Sequence, residues 1–262
     1  EVFLRSVDTL EGWPGYTFGE HDGDRVRTGD VLPWDYRTDA SGFATVPVEL
    51  PEVGRVFRPM QAEMVVRVSE GSGRPVERRL TAPVAAPVPV IGIRADFDGV
   101  LPEGGEAAFR LVAVDTDGEA VGMPVRWTIN RVETRYQWYQ LNGGWEWEPI
   151  TRRTRVASGD VTLGAAPVAV SAPVDWGSYE IRVERLGGDY VAASRSFYAG
   201  WWGAADAAGT PDMLEVSLDA ESYLPGDTAT LRVVPRHAGK ALVTVMSNRL
   251  IDMRAVEVAE GE

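Results

Sequence analysis

The chain has 262 residues, 44% of them hydrophobic, which is enough to bury a sizeable core. Lys and Arg number 26 against 39 Asp and Glu, a formal charge of −13, so a phosphate backbone or an anionic bilayer repels the molecule as a whole and nucleic acid is disfavoured as a partner. There is no Cys and there are two His, His21 and His237; this removes disulfides, thiolate metal sites and Cys nucleophiles, and makes a His-based metal site or Ser-His-Asp relay depend on distant chain.

The chain opens on Glu1 rather than Met, and EVFLRSV reads as a strand in progress, so the sequence reads as a piece whose first unit lacks its opening strands. No apolar run approaches the ~20 residues of a membrane span. Apolar and polar residues alternate over 44–50 (ATVPVEL), 64–68, 109–114, 125–129, 179–183, 214–218 and 229–234. That is the period of a half-buried strand. No helical stripe of comparable length competes; one turn over 204–208, closed by Gly209 and Pro211, is the most that fits. Short strands punctuated by Gly and Pro predict an all-β chain of antiparallel β-sandwiches.

Two interruptions set the expected boundaries. Residues 83–89 (PVAAPVP) carry three prolines and predict a linker; residues 200–211 (GWWGAADAAGTP) predict a second. The stretch Leu101-Pro102-Glu103-Gly104-Gly105 followed by a strand recurs at Leu224-Pro225-Gly226-Asp227, and a repeat of that period means tandem domains. The expected division is a partial sandwich over 1–86, a complete one over 87–200 and the opening portion of a third over 201–262.

The most unusual stretch is residues 136–147 (YQWYQLNGGWEW). Asn142-Gly143 suits a two-residue type I′ turn, which pairs Leu141 with Gly144, Gln140 with Trp145, Tyr139 with Glu146 and Trp138 with Trp147. Tyr136, Trp138, Trp145 and Trp147 then share one face. Such a face can stack on sugar rings, or it can pack against a sandwich end or a neighbouring domain, the preferred reading. Asp115-Thr116-Asp117-Gly118-Glu119, Asp39-Ala40-Ser41-Gly42 and His21-Asp22-Gly23-Asp24 resemble cation loops but lack the remaining ligands, and read as turns. Asp8, Glu11, Asp30 and Asp35 are candidates for a glycosidase pair without any spacing to support one. Arg152, Arg153 and Arg155 are expected along an exposed strand, pairing loosely with Glu146 and Glu148. His237 is expected in solvent. No residue is assigned as catalytic, metal-binding or cofactor-binding.

The run YQWYQLNGGWEWEP, followed by RVASG (155–159), PVDWGSY (173–179), FYAGWW (197–202), TPDMLEVSLD (210–219), YLPGDTATL (223–231) and AGKALVTV (238–245), resembles the bacterial alpha-2-macroglobulin family. WPGYTFG (13–19), TDASGFATVPVELP (38–51) and GRPVERRLTAPV (73–84) resemble the preceding domain of that family. The resemblance implies tandem macroglobulin-like sandwiches, of the fibronectin III or immunoglobulin type, from a large periplasmic protease trap. In that family a protease cuts a bait segment, the molecule rearranges and an internal thioester from a Cys-x-Glu-Gln motif links to the attacker.

Without Cys this stretch carries no thioester and reads as non-catalytic scaffold upstream of it, with no bait segment matched and no cofactor. Its implied partners are proteases, through the full-length parent, and neighbouring domains of the same chain. The family also implies a parent that is often lipid-anchored and, in some genomes, associated with a peptidoglycan synthase. Tyr136, Trp138, Trp145, Trp147, Trp201 and Trp202 are the candidate contact surfaces. The alternative is a carbohydrate-binding or adhesin module that uses Trp138, Trp145 and Trp147.

Overall fold

A computed structural model describes all residues except 31–35, 51–52, 55, 71–72, 87, 142, 204–213, 236 and 261–262. The described residues form strands, turns and irregular chain, with no helix among them. The first 84 residues carry β1 (Val2–Ser6), β2 (Thr17–Phe18), β3 (Arg27–Asp30), β4 (Met60–Val68) and β5 (Val76–Val84). Next come β6 (Val90–Ala95), β7 (Gly105–Val114), β8 (Met123–Leu141), β9 (Gly144–Leu163), β10 (Val168–Val174), β11 (Gly177–Arg185) and β12 (Ala192–Ala199). The last are β13 (Glu215–Leu218), β14 (Leu231–Val234), β15 (Gly239–Met246) and β16 (Leu250–Val258).

These strands make a sheet ordered β3-β1-β4-β5, a second ordered β10-β7-β6-β2, a third ordered β12-β11-β8-β9, and two terminal pairs, β13-β14 and β15-β16. Every named pairing is antiparallel. The second and third sheets face each other through one core: Ile91, Ile93, Phe109, Leu111 and Val170 on one side, Val125, Ile129, Tyr179, Ile181 and Val183 on the other. Period-two alternation builds such a core because it sends every second side chain inward.

The chain departs from alternation where both faces of a strand are covered. Val90-Ile91-Gly92-Ile93 and Leu111-Val112-Ala113-Val114 are buried throughout. The outer side chains, Val90, Val112 and Val114, join a second cluster with Tyr16, Phe18 and Ala86, flanked by Leu10 and Trp13. A strand buried on both faces reads as a continuous apolar run.

Both copies of the repeated motif make a turn with a positive-φ glycine as its third residue, starting at Pro102 in the first and at Leu224 in the second. The amide of Gly105 donates to Pro102 O at 2.9 Å and that of Asp227 to Leu224 O at 3.0 Å, with Gly104 at φ 74° and Gly226 at φ 101° ahead of β7 and β14. Their environments differ: Leu101 is buried, whereas Leu224 is 76% exposed. The three buried apolar clusters among the described residues lie before residue 200, and the terminal pairs leave Leu242, Met246, Ile251 and Met253 in solvent.

Two expectations are corrected. Residues 44–50 form no strand; Pro47 lacks a ladder donor, and Val46 and Leu50 lie exposed in irregular chain. The first linker is shorter than 83–89, because Pro83 sits inside β5 opposite Gln61. β5 is an edge strand, where a missing N–H is tolerated. The expected turn at 204–208 and most of the second linker lie outside the described residues.

Candidate functional site: two joints and an aromatic arm

Residues 8–23 leave the first sheet and lie against the sandwich. Thr17 and Phe18 pair with Ile93 and Gly92, so β2 becomes an edge strand of the second sheet. Trp13 Nε1 donates to Gly118 O at 3.0 Å, and its ring meets Tyr16 edge to face at 5.7 Å. The Arg94 guanidinium lies over Tyr16 at 5.2 Å. Beneath this run the buried Arg58 pairs with Asp8 and donates to the carbonyls of Phe18 at 3.5 Å, of Gly23 at 3.4 Å and of Glu20. A buried cation is tolerated only when its donors are satisfied in this way. Gly19, at φ 78°, passes so close that a Cβ would stand 2.4 Å from Arg58 Cγ.

The loop 19–23 then latches onto the outer face of β11 and β12. Ser194 Oγ meets the His21 amide at 3.0 Å and His21 Nδ1 at 2.7 Å, and the Ser194 amide donates to Gly19 O at 3.1 Å. Glu20 pairs with Arg182 at 2.6 Å. Burial opposes the Arg182 charge, but the hydrogen bond to Glu184 and the Glu20 carboxylate outweigh it and raise its pKa. Arg153 bridges Asp22 at 3.2 Å and Glu180 Oε2 at 3.3 Å. Glu180 is 1% exposed, and its Oε1 has no hydrogen-bond partner among the described residues.

This latch corrects the expected pairing of Arg153. Arg153 stands opposite Val132 beside β11, at the root of the hairpin, so the acids within its reach are Glu180 and Asp22, not Glu146 and Glu148. Asp8, offered as a hydrolase carboxylate, is held by Arg25 and Arg58. Asp35 lies outside the described residues. Asp115 Oδ1 accepts the amides of Asp117 at 2.9 Å and Glu119 at 3.0 Å, and Asp39 Oδ1 those of Ser41 at 2.8 Å and Phe43 at 3.0 Å, the geometry of ordinary turns. His237 is exposed.

The aromatic stretch forms the distal half of β8 and β9. Its register pairs Leu141 with Gly144, Gln140 with Trp145, Tyr139 with Glu146 and Trp138 with Trp147, and Gly143 has φ 84°. β11 accompanies β8 only as far as Val132, so residues 133–141 and 144–152 pair with each other alone. Nine residues of strand project about 30 Å. One face of this arm carries Thr134, Tyr136, Trp138, Gln140, Trp145, Trp147, Pro149 and Thr151, none charged; Glu133, Arg135, Glu146, Glu148 and Arg152 lie on the other. Trp138 is 49% exposed and Trp145 69%, and the Tyr136 and Trp147 rings meet at 75°.

Trp201 and Trp202 belong to a second joint. Trp202 and Leu218 exchange both backbone hydrogen bonds at 2.8 Å. The Arg232 guanidinium lies over Trp176 at 4.6 Å and Trp201 at 5.8 Å and reaches Glu103 at 3.4 Å. Tyr198 donates to Glu215 at 3.1 Å, and burial, then the Glu215 charge, raises its pKa.

With these contacts in place, the comparisons are consistent along the chain. Residues 1–87 match the bacterial alpha-2-macroglobulin MG5 domain, and residues 92–201 match bacterial macroglobulin domain 6. The chain belongs to the bacterial alpha-2-macroglobulin family. The alpha-2-macroglobulin of Xylella fastidiosa (strain Temecula1) is 29% identical over 258 residues, covering 95% of this chain and 15% of that protein. That of Escherichia coli K12 is 28% identical over 288 residues, covering 97% and 17%. Native E. coli alpha-2-macroglobulin, solved by cryo-electron microscopy, superposes with a TM-score of 0.60 at 25% identity, over 100% of this chain and 18% of that one. The Salmonella protein reacted with methylamine gives 0.58 at 24%, over 99% and 17%. The chain therefore spans about a sixth of the length of the alpha-2-macroglobulins it matches.

Of the expected contact residues, Trp201 and Trp202 are brought to one joint and the other four to the arm, well apart from it in sequence. The first joint escaped the sequence reading altogether. Its one local signal was the apolar run at Val90 to Ile93, which implied a cover for the second face of β6 without naming β2 as that cover.

Proposed function

We propose that this macroglobulin segment is non-catalytic scaffold of a periplasmic alpha-2-macroglobulin-like protease trap, and that its work is mechanical. The observation that carries this reading is β2: a strand from the stretch matching one macroglobulin domain is hydrogen-bonded into the sheet of the next. Two units joined by a shared sheet and by the Glu20–Arg182 and Asp22–Arg153 pairs move as one body, which is what a scaffold needs to pass a local cut into a larger rearrangement. Solved E. coli relatives include one activated by porcine elastase and one activated by trypsin.

In this reading the arm is a contact surface for another domain of the longer parent, and proteases meet this segment through that parent. A flat sugar platform is favoured by the exposure of Trp138 and Trp145 but not by the steep angle between Tyr136 and Trp147. The test uses the full-length parent with Gly92→Arg, which forces β2 off the sandwich. Loss of protection of a large protein substrate from trypsin, with no change in trypsin's cleavage of a small peptide, supports the scaffold role; full protection counts against it. Proteolytic or glycosidic activity in the isolated chain would also overturn it.

A further inference from the structure

The latch holds a second feature. One ligand atom each from His21, Asp22 and Glu180 lie within 4.8 Å of one another. His21 Nδ1 and its own amide are both engaged by Ser194 Oγ, which fixes the ring with Nε2 toward Glu180 Oε2 at 3.9 Å. That gap is too long for a hydrogen bond. At a tetrahedral zinc, bonds of about 2.0 Å to imidazole and about 2.1 Å to carboxylate place the two donor atoms roughly 3.4 Å apart, so a side-chain shift of about half an ångström closes the gap. The second Glu180 oxygen is buried and has no partner among the described residues, so a 1% exposed carboxylate presents an unused donor atom. Asp22 is half-exposed, its Oδ2 held by Arg153 and its Oδ1 3.9 Å from His21 Nδ1, so once Arg153 leaves it has to turn toward Nε2 to complete the set.

What now stands between the two acids is the Arg153 guanidinium, at 3.2 Å and 3.3 Å. Charge-assisted bonds at their best are about 2.7–2.9 Å, so it holds the place of a cation loosely. Arg153 is 43% exposed and can swing out. Beside it a cavity of about 430 Å³, lined in part by Ser178, Ser196 and Tyr198, leaves room for water ligands.

We propose that His21 Nε2, Glu180 and Asp22 form a binding site for a divalent transition ion, zinc by its imidazole and carboxylate donors, with Arg153 as the displaceable occupant and Ser194 as the group that orients the histidine. Two of the ligands come from the loop 19–23 and the third from β11, so the ion staples the stretch matching one macroglobulin domain to the next. The two carboxylates and one guanidinium sum to −1, which favours a dication.

The test is titration of the 262-residue chain with Zn²⁺ against a chromophoric chelator. One equivalent should bind; His21→Ala and Glu180→Gln should each weaken binding at least tenfold, and Asp22→Asn several-fold. Arg153→Gln should tighten it, because the competing cation is gone. His237→Ala should leave it unchanged. Asp22→Asn and Arg153→Gln alter half-exposed side chains, so the outcome survives even where a core variant fails to fold. Absence of stoichiometric binding, binding that persists in His21→Ala and follows His237, or an Arg153→Gln chain with unaltered affinity would each overturn the site.

Discussion

Gly92 shows how one missing side chain couples two parts of the molecule. It lies opposite Phe18, and a Cβ there would stand 2.7 Å from the Phe18 ring and 2.9 Å from Val112. A strand-interior glycine commonly marks such an approach. Gly92→Ala should destabilise the chain by roughly 1–3 kcal/mol through overpacking, measured by urea unfolding. The loss should be local, with faster hydrogen exchange at Tyr16, Thr17 and Phe18 than in β11; unchanged exchange at those amides would sink the account. Arg58 supports the same run by charge. Arg58→Met keeps the stem but leaves the carbonyls of Phe18, Glu20 and Gly23 without their donor, and should cost about 3 kcal/mol, near the lower end for a broken buried pair because Asp8 is one-third exposed.

Among the elements, the arm and the β13–β14 pair respond to different tests. Among the described residues no third strand pairs with the arm beyond Val132, so replacing Trp138 and Trp145 with Ala should move the stability of the isolated chain by no more than about 0.5 kcal/mol, as for other surface positions. A large loss in thermal unfolding would mean that the arm folds back on the sandwich. In the β13–β14 pair, Asp219 accepts the Tyr223 hydroxyl at 2.6 Å and the Thr230 amide at 2.8 Å, and these bonds hold its carboxyl below the usual range. A carboxyl lowered in the folded state stabilises above its unfolded pKa and loses that contribution as pH falls through the folded value. Exchange protection of β14 should therefore drop on acidification, and Asp219→Asn should flatten that dependence. The arm was legible because Asn-Gly between alternating aromatics leaves one register. Residues 44–50 misled because alternation records which side chains could face a core, not whether a neighbouring strand is there to pair. β2 was invisible for the converse reason: two residues are too few to show a period. Glu180 is one polar position in the alternating run 179–183, and only the fold brings His21 over it.

For the whole molecule, stiffness is unevenly distributed. The first joint combines strand pairing, the buried cluster around Phe18 and two ion pairs that cross it, Arg153–Asp22 and Arg182–Glu20. The second rests, among the described residues, on one backbone bridge at Trp202, the Tyr198–Glu215 bond, the Arg232–Glu103 pair and Arg232 between Trp176 and Trp201. A cation–π contact contributes about 0.5–2 kcal/mol, so two of them with a few hydrogen bonds leave a bent state within thermal reach once they are removed. Replacing Trp201 and Trp202 together with Ala should raise the radius of gyration in small-angle scattering while the sandwich keeps its unfolding midpoint, since neither ring belongs to its core. Arg232→Gln, which removes both cation–π contacts and the Glu103 pair but leaves the Trp202–Leu218 backbone bridge, should move the scattering in the same direction. Unchanged scattering in the double variant would place the hinge elsewhere. A lower midpoint would show instead that the sandwich depends on these rings, which a mechanical joint between separately stable bodies does not allow.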